Sequence, residues 1–288
     1  MSSRLVVFLS GAMLYAAGCA APAWAADGPG KSASKTRLER RNQPPPSPIT
    51  DHFAMRGVYF QPTLTTAGRF DSDVGTPGTP FSGETDLALD DVANQGRMEL
   101  LFRMRDRHRL RVDYLKLDRF GDTRLTRAID FRNRRYNVAD RVESNLDLRL
   151  MGFTYSWSVL RRESFEIGLG LGLHLVEAEA RAEVRSRGIR ETGSGTGALP
   201  TLGVDGTWRF ARRWSVSGRF QYLSVGVSDV KGSFTDLHAD VQYRWKPNVA
   251  FGLGYSGIKL DADVKSSSLP GILVIDAKGP EGFFRVSF

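Results

Sequence analysis

The chain is poor in the patterns that mark most enzymes and all helical membrane proteins. Of its 288 residues a single one is cysteine, Cys19, so no intramolecular disulfide can form. No stretch of about 18 apolar residues is present, which excludes a transmembrane helix. Clusters at metal-ligand spacing, a glycine-rich phosphate loop and a serine-nucleophile motif are also missing, so no metal and no cofactor is expected. His52, His108 and His174 stand apart from one another. The charge balance is basic, with 40 Lys+Arg against 32 Asp+Glu. An excess of this sign can mark a nucleic-acid binder. Here the arginines recur at alternate positions and in turns, in a chain that opens as an exported one, and no nucleic acid is expected as a partner.

What is present begins with an export segment. One cation, Arg4, precedes an apolar run from Leu5 to about Ala17 and a small-x-small site at Ala23-Trp24-Ala25, so residues 1–25 read as a cleaved secretory signal peptide. Cys19 ends the sequence "AAGC", which is similar to the bacterial lipobox; lipidation at Cys19 and ordinary cleavage after Ala25 are both open. Residues 26–52 are polar and Pro-rich without a period and read as a flexible periplasmic tether.

From Phe53 to Phe288 the chain alternates. In "FEIGLGLGLHLVEAEARAE" the residues Phe165, Ile167, Leu169, Leu171, Leu173 and Leu175 share one face of a strand, and Glu177, Glu179, Arg181 and Glu183 take over that same face beyond it. Short turns near Asp106-Arg107, Arg161-Arg162-Glu163, Arg212-Arg213 and Lys246-Pro247-Asn248 join eight strands in pairs. A run at about 56–66 and another at about 279–288 bring the expected number to ten, with eight as the alternative. Longer connections are expected at roughly 67–92, 118–143, 185–197, 226–233 and 264–278.

A soluble sandwich and a membrane barrel both alternate; three features favour the barrel. The ten steps from Phe165 to Leu175 span ~33 Å of strand, or ~25 Å of height at a tilt of ~40°, which matches an outer-membrane apolar band. Trp157, Trp208, Trp214 and Trp245 all lie close to the short turns, where indole suits a membrane interface, and Tyr114, Tyr222 and Tyr255 fall where a second girdle would lie. Short turns at one end and long loops at the other complete the pattern. The terminal "GFFRVSF", with Phe284, Val286 and Phe288 on one face, resembles the C-terminal assembly signal of bacterial outer-membrane β-barrels. The resemblance covers residues 53–288 and implies a small porin-like, all-β, antiparallel up-and-down barrel in the outer membrane of a Gram-negative cell envelope. It also implies contact with outer-membrane lipid, lipopolysaccharide and the assembly machinery. A monomer is expected.

Two features call for local adjustment. Pro62 and Pro280 lie in the first and last strands, which must pair to close a barrel, and each removes a ladder donor. Leu146, Leu148 and Leu150 have one parity and Met151, Phe153, Tyr155 and Trp157 the other, which predicts a bulge near Gly152.

The inward parity carries Arg97, Glu99, Arg103, Arg105, Arg109, Arg111, Asp113, Glu166, Asp205, Arg209, Arg219, Asp236, His238, Asp240, Arg244 and Arg285. Because ten strands lie near the limit at which side chains fill a barrel, this set reads as an ion network plugging the lumen. An excess of arginine over acid would instead suit a narrow passive pore favouring anions. A third reading is an outer-membrane hydrolase: Asp236-Leu-His238 is similar in spacing to the catalytic Asp-x-His of the ten-stranded omptin proteases, near the outer end of its strand. In the loop at 127–141, Arg132, Arg134 and Arg135 could hold lipopolysaccharide phosphates.

Overall fold

The computed structural model describes residues 46–72, 74–92, 95–227, 230–265 and 270–288. The expected signal peptide and Cys19 lie outside them. Among the described residues there are fourteen strands: β1 (Phe53–Phe60), β2 (Thr63–Phe70), β3 (Phe81–Ser82), β4 (Gln95–Arg105), β5 (His108–Arg124), β6 (Ile129–Phe131), β7 (Arg134–Tyr136), β8 (Arg141–Arg161), β9 (Phe165–Val184), β10 (Ile189–Trp208), β11 (Trp214–Val227), β12 (Val230–Lys246), β13 (Val249–Val264) and β14 (Gly271–Ser287), with a one-turn helix α1 (Gly83–Leu87). β1 and β2 act as one interrupted strand. With it the sheet runs β1-β4-β5-β8-β9-β10-β11-β12-β13-β14, and β14 pairs back on β1 and β2. This is a closed ten-strand antiparallel barrel, as the sequence predicts.

The seam between first and last strand holds both prolines. Phe60 pairs with Glu281 and Thr63 with Lys278, so the register is the same on either side of Gln61-Pro62. The two prolines share one gap in the ladder, and no bulge is needed. Gln61 N–H still donates to Pro280 O at 3.1 Å. A Cβ on Gly279 would lie 2.2 Å from Gln61 O, so only glycine lets the backbones meet here.

The strands are longer than expected and the loops correspondingly shorter. β9 and β10 have 20 residues each and are joined by four, Arg185 to Gly188, where 185–197 had been expected as loop. At ~3.3 Å per residue such a strand is ~66 Å long, about twice what the apolar band needs. The surplus stands beyond the membrane.

The predicted bulge near Gly152 is absent. β5 and β8 pair without interruption from His108↔Trp157 to Arg124↔Arg141, and Gly152 pairs normally with Asp113 and His174. The apolar residues change parity there because both faces exchange character at one level. Outward, neighbouring positions Tyr114, Met151 and Leu175 are apolar, and the next outward row, Lys116, Arg149 and Glu177, is charged. Inward, Asp113 and His174 give way to Leu115, Leu150 and Leu148, all buried. Where the surroundings change from hydrocarbon to water, the interior changes from ion network to apolar core. A regular ladder with a fixed side-chain period of two therefore carries a change of apolar parity.

That second core fills the long-loop half of the barrel. Phe60, Leu64, Leu117, Leu146, Leu148, Phe234, Leu260 and Ile275 meet side chains folded down from the connections, among them Phe81, Leu89, Ile129, Phe131 and Tyr136. The hairpin β6–β7 supplies the last three and is anchored by Tyr136 Oη donating to Ala182 O at 3.0 Å. At the other end, residues 26–45 of the expected tether lie outside the described residues, whereas 46–52 pack into the barrel mouth, with Ile49 1% exposed and Asp51 paired inside.

Candidate functional site

The lumen below the apolar core is a continuous set of buried ion pairs. At the short-turn mouth Asp51 accepts from Arg244 at 2.6 Å and from Arg285 at 3.0 Å. Glu166 accepts from the two terminal guanidinium nitrogens of Arg103 at 2.8 Å and from the Ser158 hydroxyl, and Arg109 bridges it at 3.7 Å to Asp205 at 2.7 Å. Arg56 donates to Glu281 at 2.6 Å and Asp240 at 3.1 Å while its guanidinium covers the Phe283 ring at 3.5 Å. Arg97 and Arg219 share Glu99 and Asp236, with Asp113 3.7 Å from Arg97. Gln221 closes the polar zone, donating to Thr154 at 2.9 Å and meeting His174 at 3.1 Å; the other side of His174 packs on Phe234, 4.6 Å between ring centres.

The alternation places most predicted lumen residues correctly, and the exceptions have local causes. Arg105 is exposed, because a register shift between Arg103 and Arg105 turns it out of the barrel. Arg209 lies just past β10 and is half-buried, as is Arg111 inside the lumen. Sequence reasoning missed Asp51, Arg56, Glu281, Ser158 and Ser256. Arg56 and Glu281 have the inward parity of their strands, opposite the exposed Tyr59 and Phe284, and were within reach of the same pattern. Asp51 was hidden in the tether. With these included, Arg56, Arg97, Arg103, Arg109, Arg111, Arg219, Arg244 and Arg285 face Asp51, Glu99, Asp113, Glu166, Asp205, Asp236, Asp240 and Glu281. Leaving His238 aside, these are eight arginines against eight carboxylates, so most of the positive excess expected of an anion pore is gone.

Asp236 and His238 do not form a pair. His238 meets Asp240 through Nε2 at 3.0 Å and Ser256 through Nδ1 at 2.9 Å, whereas Asp236 belongs to Arg219 at 3.1 Å. Both are buried, 2% and 3% exposed, in the middle of the lumen and not near the outer end. Outside the lumen, Arg132 donates to Thr192 O at 2.8 Å and so ties the hairpin to β10, while Arg134 and Arg135 remain exposed. Above the membrane the Arg127 guanidinium, hydrogen-bonded to Asp86, holds that carboxyl below its usual range despite partial burial. Among the described residues no cluster suits a metal ion.

Space inside is tight. A void of about 60 Å³ lies among the lumen ion pairs and one of about 30 Å³ in the apolar core, each room for a few waters at most. Glycines make room for the large groups: a Cβ on Gly252 would lie 2.1 Å from Phe283 Cζ. Gly252→Ala is expected to cost about 1–3 kcal/mol by overpacking, read as a lower urea midpoint of the folded barrel in detergent.

The outer surface is the reverse of a soluble protein's. Leu169, Leu171, Leu202, Leu253 and Leu237 are 47–74% exposed, in a belt edged at the short-turn end by Trp157, Trp208, Trp214 and Trp245 at 42–54%. Phe284 and Phe288 are exposed on the belt, and Val286 half-exposed. A contiguous apolar surface of this extent has no stable place in water and is a membrane-facing one. No protein-family profile and no curated sequence matches the chain. Among solved structures, the outer membrane protease OmpT from Escherichia coli aligns with a TM-score of 0.54 at 10% identity, over 83% of this chain and 98% of that one. The transport unit of the autotransporter AIDA-I from Escherichia coli aligns over 89% and 96% at 11% identity, with a TM-score of 0.44. The closed ten-strand wall with its apolar belt thus defines a bacterial outer-membrane β-barrel protein. The identity to OmpT carries the fold and none of that protein's chemistry.

Proposed function

We propose that the chain is a sealed structural and surface-interaction barrel, and not an open pore. The observation that supports this reading is the buried inward face, continuous from Asp51 at one mouth to Tyr136 at the other. A solute would have to displace the Asp51–Arg244 pair, the balanced ion network and the apolar core in turn. The surplus strand length, α1 and the β6–β7 hairpin then form a rigid platform above the membrane. Its charged outward rows, with Arg149 and Lys116 just beyond the apolar belt and Arg134 and Arg135 on the hairpin, suit contact with lipopolysaccharide phosphates. The exposed Phe288 and Phe284 suit recognition by the assembly machinery.

Planar-bilayer recording of the refolded full chain tests the reading. With insertion confirmed by heat-modifiable gel mobility, no discrete conductance is expected; reproducible single-channel steps would restore the pore.

A further inference from the structure

The short-turn rim carries charge that the lumen does not use. Between β11 and β12 an open groove of about 650 Å³ is lined by Arg212, Arg213, Trp214, Tyr243, Trp245 and Lys246 among others, and no carboxylate lines it. Arg213 donates to Tyr243 Oη at 3.0 Å, and the Lys246 ammonium sits 4.7 Å above the Trp245 ring. Neither of these cations, nor Arg212, has an acidic partner among the described residues. Arg244 also reaches the groove, but its guanidinium is committed to Asp51.

Three demands fall on any occupant. It must be anionic at the height of the cations. It must tolerate a membrane interface, since Trp214 and Trp245 are 45% and 54% exposed at the edge of the apolar belt. It must also present hydrocarbon, because the wall beyond the two indoles is Phe220, Val241 and Leu237, all exposed. A soluble anion meets the first demand alone, and an acidic peptide or glycan fails the third.

We propose that this groove binds an anionic phospholipid of the leaflet at the short-turn end. Arg212, Arg213 and Lys246 hold its phosphate, guanidinium forks matching the phosphate oxygens. Its acyl chains lie along the outward face of β11 and β12. The site rests on the reading of the chain as a membrane barrel and names one lipid class for it.

The test uses the full chain refolded into nanodiscs of equal phosphatidylglycerol and phosphatidylcholine, followed by native mass spectrometry of the released barrel. Phosphatidylglycerol is expected to be retained in excess. That excess falls about tenfold or more in the Arg212→Gln/Arg213→Gln/Lys246→Gln variant and declines with added salt, while Arg162→Gln on another turn leaves it unchanged. Equal retention of the two lipids, an excess indifferent to the triple variant, or complete displacement by millimolar inorganic phosphate would each overturn the site. Heat-modifiable mobility reports insertion separately. A wild-type chain that does not insert overturns the membrane reading and the groove with it, whereas an inserted barrel without lipid preference overturns the groove alone.

Discussion

Glu166→Ala is expected to destabilise the folded barrel by about 3–5 kcal/mol, the range for removing one partner of a buried ion pair. Glu166 is 1% exposed and accepts from the two terminal guanidinium nitrogens of Arg103, with Ser158 and Arg109 completing its surroundings. Without it the Arg103 guanidinium stays buried, with only the Asp51 and Asp106 carbonyls as acceptors. The matching test is Arg105→Gln, two residues from Arg103 and of the same sequence parity, but turned outward by the register shift between them. Since Arg105 is exposed, the change should stay within about 0.5 kcal/mol. Reversible urea unfolding in detergent micelles measures both. Similar small costs for the two would mean that the lumen network is hydrated and loosely held.

The second large effect lies on the outer wall. Leu171 is 62% exposed at the middle of the apolar belt, and Leu171→Arg should cost about 2–4 kcal/mol of barrel stability in lipid vesicles, the price of a cation at the bilayer midplane. Glu179 has the same outward parity on the same strand, eight residues on, beside Arg181 at 3.1 Å. Glu179→Leu should be close to neutral. A soluble barrel would erase the difference, because an arginine on a wetted wall costs little and an added exposed leucine gains nothing.

The transmembrane half was legible because one physical contrast, lipid outside against ion pairs inside, writes a period of two directly into the residues. Leu169 to Leu175 and Arg97 to Arg103 are examples. The upper half was harder to read. There the contrast reverses, so Leu146, Leu148 and Leu150 looked like a register fault when they were the start of a second interior. The number of strands followed from turn chemistry, but their length did not, since Glu177 to Glu183 and Ser194 to Gly197 carry no hydrophobic signal that separates strand from loop. In the lumen, partners across the barrel were not legible. Parity tells which way a side chain points, whereas the capture of Asp236 by Arg97 and Arg219, which leaves His238 to Asp240 on its own strand, and the pairing of Arg244 with Asp51 depend on how far strands are staggered and on a segment preceding the barrel.

The chain's single native cysteine, Cys19, can be replaced, leaving a clean background for a nitroxide scan. Labels placed one at a time at the outward positions of β9 from Ile167 to Glu183, in the barrel refolded into lipid vesicles, would report collisions with oxygen and with a water-soluble paramagnetic relaxer. Oxygen should dominate at Leu169, Leu171 and Leu173, the water-soluble relaxer at Glu179, Arg181 and Glu183, with the crossover between Leu175 and Glu177. Free access of the water-soluble relaxer to Leu171, or the same ratio along the whole strand, would contradict a wall that meets hydrocarbon in one half and water in the other.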